Sequence, residues 1–231
     1  MKIEVLDTKK HANLQYHKDE YPQNPFVPVL ANELGTLANT LVVVFTNEEN
    51  PKLVALLGRS KNVVIDKDYK GFMPAALLNY PFFLTPIQDK NFICVDLDAK
   101  QLNGKGEPLF DKDGKATKFM ENLTKVMSNY NDMDIRTRIA VSEIKKTGIL
   151  EDKELGVVID GKEQTIIRGF CIVNVQKLHE LDDKTLADFA RRGYLELIYS
   201  HLRSLNNLQL LADSIVAKDK NDKNTKNGKK S

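Results

Sequence analysis

All eight prolines of this 231-residue chain lie at or before Pro108, and residues 109–231 contain none. Proline lacks an amide donor and is excluded from helix interiors and central strands. The first half is therefore restricted to short strands, turns and edge segments, and the second is free to form long helices. Hydropathy agrees with this division. Leu41–Thr46, Leu53–Leu57, Asn62–Ile65 and Asn91–Leu97 are apolar runs bounded by turn residues and read as strands. Leu109–Gly114 reads as a strand end and turn, with Gly114 free to take a positive φ. From Thr117, residues Phe119, Leu123, Val126, Met127 and Tyr130 recur at helical spacing. A break is predicted at Asn129–Asp132, after which an Asp134 N-cap opens a second segment through Ile135, Ile139 and Ile144 to a cap at Gly148. The two make a helical hairpin or one kinked helix.

Leu155–Ile159 and Thr165–Val173, divided by Asp160-Gly161, predict a β-hairpin, because Asp-Gly supplies the positive φ angles of a tight turn. Asp182 or Asp183 opens a further helix that Gly193 ends, and Tyr194–Ala212 is the last and most apolar. The predicted class is α+β: a strand-rich N-terminal half with a mixed or antiparallel sheet, and a helix-rich C-terminal half packed on it. With 42% hydrophobic residues a single core over residues 1–217 is expected.

Net charge separates the body from its end. Lys218–Ser231 holds six lysines and two aspartates without one apolar residue, leaving residues 1–217 at net −2. The segment from 218 to 231 is expected to be a disordered, solvated tail; it lacks the arginines and aromatics that grip nucleic acid, and no nucleic-acid partner is expected. The longest apolar runs, such as Leu41–Phe45, are far short of the roughly 20 residues that cross a bilayer. Glu4 and Asp7 stand where an export signal needs an apolar core, so the expected location is cytoplasmic, with envelope association open. Cys94 and Cys171 sit within apolar runs and read as reduced core thiols.

Few residues suggest chemistry. Four Asp-x-Asp pairs occur, at Asp66/Asp68, Asp96/Asp98, Asp111/Asp113 and Asp132/Asp134. The second ends the apolar run Phe92–Val95, where two carboxylates at a sheet edge could hold Mn²⁺ or Mg²⁺ against a nucleotide-sugar diphosphate. That is the enzyme alternative: a metal-dependent sugar transferase or modifying enzyme of envelope components, without any Gly-rich phosphate cradle. Otherwise the pairs read as turns and caps. Asp111-x-Asp113-Gly114 lacks the remaining ligands of a calcium loop. The four histidines are scattered without ligand spacing, and Ser142, Ser200 and Ser204 lie in helical settings without a nucleophile elbow. Residues 69–83 gather Tyr69, Phe72, Tyr80, Phe82 and Phe83; any exposed part forms a groove suited to a partner segment. The stripe within Leu195–Leu211 reads as a core helix, with a homodimer contact as its alternative.

Several segments together resemble the SapC family of bacterial proteins. They are Val5-Leu6-Asp7 through His11, Phe26-Val27-Pro28 through Glu33, Leu41–Phe45, Asn62–Phe82, Leu109–Gly114, Arg168-Gly169-Phe170 with Lys177-Leu178, and YLELIYSHLRSLNNLQLL before Asp213. Departures from the pattern are Phe72 in place of tryptophan, Asn79 in place of arginine, and Leu34-Gly35 in place of Phe-Pro. The resemblance implies association with the bacterial surface layer (S-layer) and no established reaction. The expected function is thus a soluble, non-enzymatic accessory of S-layer or cell-envelope protein biogenesis that binds a protein partner and needs no cofactor. His11 and Glu33 fall in family-like segments and join Tyr69, Phe72, Tyr80 and Phe82 as candidate binding residues. Asp96 and Asp98 are the metal ligands of the alternative.

Overall fold

The computed structural model describes residues 2–18, 21–66, 68–88, 90–102, 104–159 and 162–227. Its first elements are β1 (Ile3–Val5), β2 (Gln15–Tyr16), β3 (Phe26–Pro28), α1 (Ala31–Leu37), β4 (Val42–Thr46), β5 (Leu53–Leu56) and α2 (Ala75–Asn79). β6 (Phe82–Ile87), β7 (Lys90–Asp96), β8 (Glu107–Pro108) and α3 (Lys118–Lys146) follow. The chain continues through β9 (Leu150–Ile159), β10 (Lys162–Val173), α4 (Val175–His179), α5 (Asp183–Arg191), α6 (Tyr194–Ser204) and α7 (Leu208–Asn227). The fold is α+β, and every strand pair among the described residues is antiparallel.

The chain divides into two compact units where patterning drew one domain. Unit 1 is Met1–Pro22 with Ala75–Asp134, and unit 2 is Gln23–Pro74 with Ile135–Ser231. In unit 1 a three-stranded sheet of order β1-β7-β6 accompanies the β2-β8 pair. Its core joins Phe82 and Val95 of the sheet to Leu109, Phe110, Met120 and Met127. Tyr16 stacks on Phe119 with ring centroids 5.3 Å apart and leans on Phe82 at 5.5 Å. β6 contains Pro86, which periodicity alone rejects as a strand; an edge position tolerates it because no ladder bond on the open side is lost.

Unit 2 is built on a five-stranded sheet of order β3-β5-β4-β10-β9. Strands β4 and β5 are buried along nearly their whole length, which explains their unbroken apolar runs. Val42, Val44, Val54, Leu56, Ile166 and Phe170 face Leu211, Ala212 and Ile215 of α7. Residues of opposite parity, Val43 and Phe45, face α6, which also packs on α1. One straight helix cannot cover both faces of a sheet. The predicted helix over Tyr194–Ala212 accordingly breaks at a 3-10 turn, Leu205–Asn207, where the Asn207 amide donates to the carbonyls of Ala38 and Leu41.

Other expectations are corrected by the geometry. α3 runs uninterrupted through Asn129–Asp132, since Asn and Asp cost a helix interior only tenths of a kcal/mol each and no Gly or Pro interrupts it. Asn62–Ile65 is a loop: the Asn62 side chain accepts from the amides of Val64 and Ile65 and donates to the Ile65 carbonyl, taking the groups a ladder would use. α7 continues to Asn227, into the segment that composition assigns to a disordered tail. The β9–β10 pairing matches the predicted hairpin, while its Asp160-Gly161 turn lies outside the described residues. Gly114 and Gly193 take φ of 76° and 75° at the expected turns.

Gly58 is required by proximity. A Cβ there would stand 1.9 Å from the Lys61 carbonyl oxygen. Gly58→Ala is expected to lower the unfolding free energy by roughly 2 kcal/mol, because backbone must shift to admit the methyl. A denaturant midpoint equal to wild type would show that the loop moves freely.

Candidate functional site

In unit 1 the register of β1, β7 and β6 sorts side chains onto two faces. Val95 and Phe82, in register with Glu4, lie on the core side of the sheet, so the row Val5–Cys94–Phe83 lies on the opposite, outward face, where Cys94 itself is buried. Ile3, Phe92, Thr85 and Ile87 share the parity of that outward row. An antiparallel sheet with one buried face ordinarily carries polar residues on the other. Here Ile3 (49% exposed), Val5 (39%), Ile87 (39%) and Phe92 (38%) lie on the outward face, around half-buried Phe83. Tyr80 borders it, its ring edge-on to Phe83 at 6.0 Å.

The Tyr80 hydroxyl donates to Asp96 Oδ2 at 2.8 Å. Asp96 Oδ1 accepts from the amides of Lys2 at 3.0 Å and Asp98 at 3.2 Å. Asp96 is buried, so this carboxylate ties the N-terminal strand, a tyrosine and a turn to the end of β7. Burial and then the Asp96 carboxylate push the Tyr80 phenol well above its ordinary value, since both disfavour a phenolate. Asp98 is exposed. Asp66 and Asp111 repeat the arrangement, accepting from the amides of Asp68 and Asp113 at 2.9 Å each. Three Asp-x-Asp pairs are thus aspartate-closed turns, and the fourth lies in α3. Among the described residues no group of three or more His, Cys, Asp and Glu side chains is placed to hold a metal ion.

The remaining candidates separate. His11, in unit 1, is buried; its Nδ1 accepts from the Asp7 amide at 2.9 Å and its Nε2 lies 3.6 Å from Glu4. Glu33, in unit 2, closes the first turn of α1 by accepting from the Leu30 amide at 3.0 Å. They form no pair. Phe82 belongs to the unit 1 core, whereas Phe72 is exposed in unit 2. Tyr69 and Thr40 share a hydrogen bond of 2.8 Å, and a Cβ at Gly71 would stand 2.2 Å from the Tyr69 hydroxyl.

A protein-family model, SapC, matches residues 6–211. The chain belongs to the SapC family. No curated protein matches it, nor does any solved structure.

Two of the buried polar residues in the SapC-family segment of α6, His201 and Ser204, have a role that sequence reasoning, which set them aside as a scattered histidine and a helical serine, did not find. The β4–β10 ladder pairs only Phe170 with Thr46 and Cys171 with Phe45, and His201 occupies the opening beyond them. Its Nε2 accepts the Val173 amide at 3.2 Å, and its Nδ1–H donates to the Val43 carbonyl at 2.7 Å. The fixed roles of these backbone groups set the tautomer. Ser204 completes the opening by accepting the Val43 amide at 3.0 Å. Burial lowers the His201 pKa to about 4, against a smaller opposing effect of the Val43 carbonyl. The available signal was spacing: His201 and Ser204 follow Leu197 and Ile198 on the inward stripe of the helix. Cys171 is buried and donates to Asp152 Oδ1 at 3.1 Å, and burial followed by that carboxylate pushes its thiol up to about 12, leaving it unreactive.

Proposed function

We propose that this SapC-family chain is a non-enzymatic accessory of bacterial S-layer or cell-envelope protein biogenesis that works by binding a protein partner. The observation that carries the reading is the outward face of the β1-β7-β6 sheet, where Ile3, Val5, Ile87 and Phe92 stay exposed on a surface that antiparallel sheets usually make polar. Family membership supports the envelope context. Burying these side chains against a partner removes apolar surface from water at about 25 cal/mol per Å². Asp96, at the edge of this sheet, is already occupied by three donors.

The test is retention of proteins from an envelope fraction of the source bacterium on the immobilised chain, wild type against an Ile3→Ser/Phe92→Ser variant. Retention of an envelope or S-layer protein, lost in a variant whose unfolding free energy falls by no more than about 2 kcal/mol, is the expected result. Identical retention by both chains, or none by either, would overturn the reading.

A further inference from the structure

In unit 2 a groove of about 710 Å³ lies between the β4–β5 turn and the last three turns of α3. Buried Pro51 lies on the turn side, and Ile135 (42% exposed) and Ile139 (48%) line the helix side. These isoleucines are four residues apart and therefore adjacent on one helical face. The Lys145 ammonium donates to the carbonyls of Glu48 and Glu49, which fastens the turn to the helix and holds the groove open. Lys52, Arg138, Lys145 and Lys146 line it against Glu49 and Glu143, and Glu48 flanks it and pairs with Lys52 at 3.8 Å, which leaves an excess of one positive charge. Glu143 is itself engaged by Lys146 at 2.7 Å and Arg192 at 3.9 Å.

We propose that this groove docks an acidic, amphipathic segment of a partner protein, with its apolar side chains against Ile135 and Ile139 and its carboxylates against the lysines and arginine. The inference rests on the protein-binding reading above and names a second surface and the chemistry of what it takes. Two exposed isoleucines in a concave, preorganised cleft suit a narrow peptide; the excess of positive charge selects an acidic one. Carboxylates arriving there meet Lys145, whose ammonium is held by two carbonyls, and Lys146, whose partner Glu143 is shared with Arg192. Their attraction is screened by salt.

The test uses the full chain and a fluorescein-labelled peptide of leucine and glutamate in helical amphipathic order, with its leucine–lysine counterpart and phosphatidylglycerol vesicles as further arms. Anisotropy is expected to show binding of the glutamate peptide only, weakening as salt rises. The affinity is expected to fall roughly tenfold or more in Ile139→Asp and in Lys146→Glu. Both substitutions are on the surface, and circular dichroism verifies their folding. Equal binding of the lysine peptide, binding undiminished by both variants, or binding of vesicles alone would overturn the proposal. Absence of peptide binding, in a chain whose Ile139→Asp form still retains its envelope partner, would overturn this proposal and leave the general reading standing. Absence of any retained partner from wild type would remove the general reading instead.

Discussion

Acidification from about pH 6.5 to about pH 4 is expected to remove roughly 3 kcal/mol of unfolding free energy through His201 alone. In the folded chain this imidazole is fully buried and titrates near 4, whereas in the unfolded chain it titrates near its ordinary value of 6.5. Above the unfolded value both states are neutral and the contribution is intact. Between the two values the unfolded chain binds a proton that the folded chain refuses, so stability falls with pH; below 4 the difference no longer grows. The geometry explains the refusal, because a proton on Nε2 would confront the Val173 amide hydrogen it now accepts, with no water to take the charge. Urea unfolding at a series of pH values, wild type against His201→Gln, isolates the effect. The glutamine variant is expected to be less stable at neutral pH by roughly 2 kcal/mol, and its disadvantage should shrink or reverse toward pH 4. A stability difference that stays constant with pH would show that His201 titrates normally.

Asp96→Ala is expected to cost about 3 kcal/mol, because it leaves the amides of Lys2 and Asp98 and the hydroxyl of Tyr80 without their acceptor. Chemical denaturation measures the loss. A second signature is spectroscopic: the Tyr80 phenol should ionise at lower pH in the variant, since the carboxylate that holds it neutral is gone. Mn²⁺ is expected to leave the wild-type unfolding temperature unchanged. A saturable rise with Mn²⁺, absent from Asp96→Ala, would instead make Asp96 and Asp98 metal ligands and restore the transferase alternative.

Asp96 also illustrates what patterning could not separate. Asp-x-Asp after an apolar strand is the same string whether its carboxylates point at a metal or at the next amide; only the positions of Lys2 and Tyr80, remote in sequence, distinguish the two. His11 and Glu33 share family-like surroundings yet lie in different units, each occupied by a hydrogen bond within seven residues of itself. The outward sheet face was hidden for another reason. Its members come from β1, β6 and β7, and β6 carries a proline that hydropathy treats as a break. Phe82 and Phe83 looked equivalent in the aromatic run until register assigned one to the core and the other to the surface.

Short-range chemistry made several features legible in the chain: the α+β class, β4 and β5 as strands, the helical periodicity from Thr117, the hairpin strands, and the turns at Gly114 and Gly193. These follow from residue periodicity and backbone freedom, which act within a few positions. Long-range packing set the division into two units, the bend between α6 and α7, and the His201 and Ser204 plug between β4 and β10. Each depends on which distant backbone groups remain unsatisfied, or on which apolar face must be covered, after the strands have paired.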